Sequence, residues 1–151
     1  MALAQGFAIH DLTSLAEPAR TILGDGATAQ AQPGQLILTC QACQGAPTVA
    51  LQLGRLTDGT EDRIRSGKTT LAALETLCLK QNPDCRLTSL PAGPAIGWIS
   101  LYAFTGGAGS TAVILRDGDL LTIEAKAMSR GAAEDAVQRL AQALLPRIVG
   151  R

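Results

Sequence analysis

Residues 111–126 read TAVILRDGDLLTIEAK, and this stretch decides the fold. Apolar and polar residues alternate on both sides of Asp117-Gly118, a dipeptide suited to a two-residue type I′ turn. The register of such a hairpin places two apolar pairs on one face: Ile114 with Leu121, and Ala112 with Ile123. The stretch therefore predicts an antiparallel hairpin with one face in the core and Thr122, Glu124 and Lys126 on the other.

Working outward from the hairpin, hydrophobic periodicity predicts the remaining elements. The predicted strands cover residues 36–39, 48–53, 86–90 and 96–104, and the predicted helices cover residues 11–23 and 61–80 and the segment from Ala132 to Pro146. The helix over residues 61–80 is predicted to bury one stripe of side chains, which consists of Ile64, Leu71, Leu74, Leu77 and Cys78. Gly106 to Gly109 is interpreted as a flexible turn. The order ββ-α-ββββ-α, preceded by an N-terminal helix, predicts an α+β domain with a mainly antiparallel sheet and helices packed on it.

The predicted domain division places a helix and an Ala/Gln-rich linker in residues 1–34 and the α+β domain in residues 35–151. The linker itself spans residues 27–35 and ends in the turn signal Pro33-Gly34. Across the 151 residues, 46% are hydrophobic and 17% are charged, which is typical of a globular domain.

Charge and hydropathy exclude several classes of protein. Lysine plus arginine equals aspartate plus glutamate at 13 each, so no net field attracts nucleic acid. A stretch of 18 apolar residues is absent, and we therefore expect no membrane-spanning helix. Ser66-Gly67-Lys68-Thr69 resembles the end of a phosphate-binding loop, but Asp62 stands where that loop needs a glycine. We expect no cofactor.

The four cysteines form two close pairs, Cys40 with Cys43 and Cys78 with Cys85. An even number of cysteines in a short chain favours structural disulfides in an exported protein, although three connectivities remain open. The start Met1-Ala2-Leu3-Ala4 also resembles the end of a cleaved signal peptide. We therefore expect a periplasmic or secreted protein.

Two alternatives for the cysteines remain. All four could bind one structural zinc, although the spacing of Cys78 and Cys85 does not fit a zinc ribbon. Cys40 and Cys43 could instead be a thiol-redox pair, which requires the N-terminus of a helix to lower the thiol pKa. The residues that follow, Gln44 to Val49, are poor helix formers.

Three of the chain's four aromatic residues, Trp98, Tyr102 and Phe104, alternate along one predicted strand and so share a face. Apolar residues also occupy the opposite face, which predicts a central strand covered on both sides. The aromatic face is either core packing or a binding face for a protein or a small apolar ligand.

Catalytic patterns are weak throughout the chain. His10 is the single histidine, and we interpret it as a surface residue. No G-x-S-x-G motif is present, so we predict no catalytic residue. Asp58, Glu61 and Asp62 are interpreted as a helix-start cluster, and the acidic residues of the hairpin as turn residues.

The element order resembles that of the PsbP-like fold, which is shared by the photosystem II extrinsic protein PsbP, Mog-type Ran-binding proteins and many bacterial envelope proteins. The residues that carry the resemblance are Gly97-Trp98 before the meander and Arg116-Asp117-Gly118-Asp119 in its hairpin. It implies a non-catalytic binding or assembly factor over residues 35–149 and transfers no functional residue. The prediction is thus a small exported, disulfide-stabilised binding domain, with a thiol-redox or structural-zinc protein as the alternative.

Overall fold

A computed structural model describes residues 6–150, which form one seven-stranded sheet and four α-helices. The strands are β1 Thr28–Gln32, β2 Gln35–Thr39, β3 Thr48–Arg55, β4 Arg86–Ser89, β5 Ile96–Phe104, β6 Gly107–Arg116 and β7 Asp119–Ala127. The helices are α1 Ala16–Leu23, α2 Thr60–Arg65, α3 Leu71–Gln81 and α4 Arg130–Val149, with a 3-10 turn at Thr13–Leu15 before α1. Ala2 and Ala4, which suggested a signal-peptide end, lie outside the described residues.

The sheet is antiparallel throughout, with the strand order β1-β2-β3-β7-β6-β5-β4. It consists of two meanders, β1–β3 and β4–β7, which meet where β3 pairs with β7. The helices α2 and α3 lie in the chain between the two meanders. The predicted α+β class with a mainly antiparallel sheet is confirmed.

The hairpin of β6 and β7 has the predicted register, with Ile114 opposite Leu121 and Ala112 opposite Ile123. Its turn residues Asp117 and Gly118 have φ angles of 51° and 87°. Positive φ at both central positions is the type I′ geometry, which glycine and aspartate tolerate. The sequence pattern alone therefore specified this part of the sheet.

One face of the sheet, the inner face, packs against α1 and α4 and forms the core. Its fully buried side chains are Leu36, Leu38, Val49, Leu51, Ala112, Ile114, Leu121, Ile123 and Ala125. Helix α4 covers them with Val137, Leu140 and Leu144, and α1 adds Ala19 and Leu23. The opposite face, the outer face, carries the alternate residues of each strand.

The segment interpreted as a linker is strand β1, so that interpretation was wrong. Thr28, Gln30 and Gln32 are exposed, whereas Ala29 and Ala31 turn toward the core, which gives the period of a strand without large apolar residues. The predicted domain boundary after residue 34 falls in the turn between β1 and β2. The N-terminal part also supplies Leu12, Leu15 and Ala19 to the same core.

The single helix predicted over residues 61–80 is two helices in the structure. Gly67 has φ +82°, which an α-helix does not allow, and the break lies around it. Thr70 then begins α3, its side chain accepting a hydrogen bond from the amide of Ala73 at 3.1 Å. No residue of α3 is fully buried and Leu77 is 57% exposed, so the predicted buried stripe through Leu77 and Cys78 was wrong.

Helix α4 continues through Pro146 to Val149, beyond the end predicted for it. Proline removes one backbone hydrogen bond and crowds the carbonyl four residues earlier, so Pro146 weakens this end of the helix. The apolar side chains of Leu145, Ile148 and Val149 are buried, and their burial holds the last turn in place. Within residues 6–150, no helix is both long and apolar enough to span a bilayer.

Candidate functional site

The three aromatic residues of β5 lie on the outer face, opposite the side of Ile99, which is in the core. Trp98 and Tyr102 are half-buried, and Phe104 is 43% exposed. β5 pairs with a strand on each side, as a central strand does, but it is the sixth strand of seven and lies next to the edge strand β4. The binding role of the three aromatic residues stays a prediction.

The ring of Tyr102 lies over a glycine on the neighbouring strand, which leaves room for it. Its partner across the strands is Gly109, where a β-carbon would come within 2.6 Å of the Cζ atom of the ring. The Tyr102 hydroxyl also lies 3.1 Å from Oγ1 of Thr111. Gly109 thus accommodates the tyrosine ring because it has no side chain. Gly107 to Gly109 belong to strand β6, so their interpretation as part of a flexible turn was wrong.

An apolar groove of about 370 Å³ adjoins Trp98. Its walls come from α2 and α3 on one side and from the β4–β5 connection and β5 on the other. The main lining side chains are Ile64, Leu71, Leu74, Leu90, Ile96 and Trp98, and all six are half-buried. The groove is thus a partly open apolar surface. The periodicity of the sequence had predicted that its three helical residues, Ile64, Leu71 and Leu74, are buried in the protein interior.

Helix α3 is attached to the sheet mainly by its C-terminal half. The Cys78–Cys85 disulfide joins its last turn to the fully buried residue before β4. The side-chain amide of Asn82 donates a hydrogen bond to the carbonyl of Ala103 at 2.6 Å, and Glu75 accepts one from the amide of Leu87 at 2.9 Å. This end of α3 is therefore fixed, while its first turns border the groove.

The second disulfide joins Cys40 and Cys43 in the turn between β2 and β3. Of the three connectivities that the sequence left open, the structure has the two local pairings. One pair follows β2 and the other precedes β4, so five inter-strand spacings, about 24 Å, separate the strands that bear them. The four sulfurs of a tetrahedral zinc site lie within about 4 Å of one another, which this arrangement does not provide.

Asp119 is the centre of a polar cluster, although the sequence suggested a simple turn residue. Its carboxylate is 7% exposed and accepts a hydrogen bond from the amide of Phe7 at 2.8 Å. Nε2 of His10 lies 2.8 Å from Oδ2, and Nη1 of Arg55 lies 2.6 Å from Oδ1. The cluster joins the N-terminal segment, β3 and β7, so its evident role is structural.

Glu61 supports the same hairpin from the other side. Its carboxylate accepts hydrogen bonds from the amides of Asp117 and Gly118 at 2.9 and 3.0 Å, and it pairs with Arg65. Arg55, Arg65 and Glu61 line a cleft of about 420 Å³ beside the turn. Arg65 pairs with Glu61 inside the cleft and Arg55 pairs with Asp119 beside it, so these charges are explained by the support of the hairpin.

Both carboxylates are more acidic than usual. Burial acts to raise the pKa of Asp119, but the hydrogen bonds from Phe7, His10 and Arg55 outweigh it and hold the pKa below 3.8. Burial likewise opposes ionisation of Glu61, but the amides of Gly118 and Asp117 and then Arg65 keep its pKa below 4.5. A carboxyl group with a lowered pKa stabilises the fold at pH values above its ordinary pKa.

We therefore expect the protein to lose stability in acid. The contribution of Asp119 and Glu61 is complete above their ordinary pKa values of 3.8 and 4.5 and is lost as the pH falls through their lower folded values. Urea unfolding between neutral pH and about pH 3 measures this loss. The Asp119→Asn, Glu61→Gln double variant should show a flatter dependence, and an unchanged dependence would contradict the assignment.

Among residues 6–150, no group of three or more His, Cys, Asp or Glu side chains is arranged to bind a metal ion. Sequence reasoning missed the roles of Asp119, Glu61, His10 and Arg55. The contact between His10 and Asp119 spans 109 positions, and no local pattern reports it.

Comparison with known proteins finds no matching family model, no significant match to a curated protein and no significant match to a solved structure.

Proposed function

We propose that this chain is an exported, non-catalytic binding or assembly domain that takes an apolar segment of a protein partner or a small apolar ligand in the groove beside Trp98. The observation that carries the proposal is the groove itself. Six apolar side chains line it, and all six stay half-buried. Apolar surface that stays partly open is typical of sites that a ligand or partner covers.

The volume and chemistry of the groove fit this role. About 370 Å³ is within the range of small-molecule sites, which extends from about 300 to 1,000 Å³. Trp98 offers a large rigid apolar surface at low entropic cost, and such residues often dominate binding energies. Tyr102 and Phe104 continue the aromatic surface along the same strand, so a longer partner segment can extend over the outer face.

Export is supported by the two disulfides, because such bonds persist in oxidising compartments. The PsbP-like resemblance supports the same proposal, since members of that group are mostly binding or assembly factors.

The proposal predicts that the groove binds apolar probes. Anilinonaphthalene sulfonate should bind to the native protein and quench the fluorescence of Trp98, the single tryptophan, by energy transfer. Leu74→Gln puts a polar group in the groove wall and should weaken probe binding at least about fivefold, since burying an unpaired amide is costly. A titration of probe into each variant measures this change.

Leu77→Gln is the matched control, because Leu77 is on the same helix, is 57% exposed and lies outside the groove lining. It should leave probe affinity unchanged. Equal weakening by both substitutions would contradict the groove as the binding site. A photo-crosslinking group at position 104 then distinguishes a protein partner, which becomes attached there, from a small ligand confined to the groove.

A further inference from the structure

The Cys40–Cys43 turn lies against the beginning of helix α4. Gly45 accepts a hydrogen bond from the amide of Met128 at 2.9 Å, which fixes the turn beside the N-cap residue Ser129. A cavity of about 260 Å³ opens at the contact, and its walls include Cys43, Ser129, Gly131 and Arg139. The element directly after the two cysteines is the strand β3, but the 20-residue helix α4 begins next to them in space.

The two sulfur atoms of this pair are unequal. Cys40 is fully buried, whereas Cys43 is half-buried and lines the cavity. Cys43 is therefore the more accessible residue of the pair, and it is the one on the cavity side. The positive end of the α4 dipole favours negative charge on a sulfur in this place. Arg139 and Asp135 also line the cavity, but they form an ion pair and their charges offset each other.

The surroundings also suit the reduced pair. Sγ of Cys43 lies 3.6 Å from the carbonyl oxygen of Leu23, and Sγ of Cys40 lies 3.7 Å from that of Asp25. After reduction, each S–H group has a carbonyl acceptor already in place. The same site thus accommodates both the disulfide and the dithiol.

The other disulfide has the opposite electrostatic setting. Cys78 is in the last turn of α3, where the helix dipole is negative and disfavours a thiolate. Its partner Cys85 is fully buried and joins the helix to the sheet. The contrast between the two bonds therefore depends on helix polarity and on the cavity.

We propose that Cys40–Cys43 is an exchange-competent redox pair that accepts electrons from a protein dithiol, while Cys78–Cys85 is a permanent structural bridge. A thiolate of the dithiol attacks Sγ of Cys43, a mixed disulfide forms, and Cys40 leaves as a thiolate. The second thiolate of the donor then attacks its own sulfur in the mixed disulfide and releases Cys43. The donor ends as a disulfide, and its two thiol protons are transferred to Cys40 and Cys43.

The test is partial reduction of the native oxidised protein with dithiothreitol as the probe dithiol. Samples are quenched in acid, alkylated and analysed by peptide mass spectrometry, while circular dichroism confirms that the sheet persists. Cys40 and Cys43 should become alkylated at least about tenfold faster than Cys78 and Cys85. Equal rates, faster opening of Cys78–Cys85, or reduction only on unfolding would each overturn the proposal.

Single substitutions identify the attacked sulfur. Cys40→Ser leaves the accessible thiol of Cys43, which should form a mixed disulfide with oxidised glutathione at least about tenfold faster than Cys40 does in Cys43→Ser. The reverse order would overturn the assignment. Probe binding in the groove beside Trp98 should be unchanged in both variants, so this test fails or succeeds independently of the proposed binding function.

Discussion

Replacing Asp119 with alanine is expected to lower the free energy of unfolding by about 2 kcal/mol, because a buried amide loses its charged hydrogen-bond acceptor. The carboxylate is 7% exposed and gathers Phe7, His10 and Arg55 around one hairpin. The buried amide of Phe7 then loses its acceptor, whereas the side chains of Arg55 and His10, which are 61% and 62% exposed, can turn to water. Urea denaturation followed by far-UV circular dichroism measures the loss.

Asp135→Ala is the matched control. It also removes an aspartate that pairs with an arginine, Arg139, but the Asp135 side chain is 60% exposed. Exposed ion pairs contribute little, so the control should lose much less stability than Asp119→Ala. Similar losses in both variants would show that burial of Asp119 is not what gives the cluster its strength.

Removing the Cys78–Cys85 bridge by the double substitution Cys78→Ala, Cys85→Ala is expected to cost about 2.5 kcal/mol in the chain-entropy model. The effect should be concentrated in α3, because no residue of that helix is fully buried. Hydrogen exchange measured by mass spectrometry should show faster exchange over residues 71–81 than in the parent protein. The groove beside Trp98 should lose probe affinity as α3 detaches.

The matching variant Cys40→Ala, Cys43→Ala removes the shorter loop and should cost about 2 kcal/mol in the same model. It should leave exchange in α3 unchanged, since that bridge joins only the turn between β2 and β3. Two results would contradict the view that Cys78–Cys85 holds the helix on the sheet. One is faster hydrogen exchange of α3 in the Cys40→Ala, Cys43→Ala variant, and the other is unchanged exchange of α3 in the Cys78→Ala, Cys85→Ala variant.

Local signals predicted the parts of the fold that local physics determines. Asp117-Gly118 specified a turn type, and the turn type fixed the register of Ile114 with Leu121. The same reasoning failed at residues 28–32, because alanine and glutamine carry little strand signal and the pairing with β2 decides the conformation. It failed again at Gly67, where a single glycine ends the helix instead of weakening it.

The candidate sites were less accessible to sequence reasoning than the fold. Alternation along β5 placed Trp98, Tyr102 and Phe104 on one face, but the groove also needs Leu71 and Leu74 from a helix that periodicity assigned to the core. The environment of Cys43 depends on α4, which begins 87 positions later. Residues that approach one another only after folding leave no trace in a single sequence.

The pairing of β3 with β7 has a consequence for the speed of folding. Val49 pairs with Ala125, a separation of 76 positions, so the central junction of the sheet requires closure of a very long loop. Each meander can form from near neighbours, whereas their union has to wait for that closure. Topologies dominated by such distant pairs fold slowly, in milliseconds to seconds. Until β3 pairs with β7, both meanders expose an unpaired strand edge that can pair with strands of other molecules. We therefore expect the chain to be most prone to aggregate early in folding.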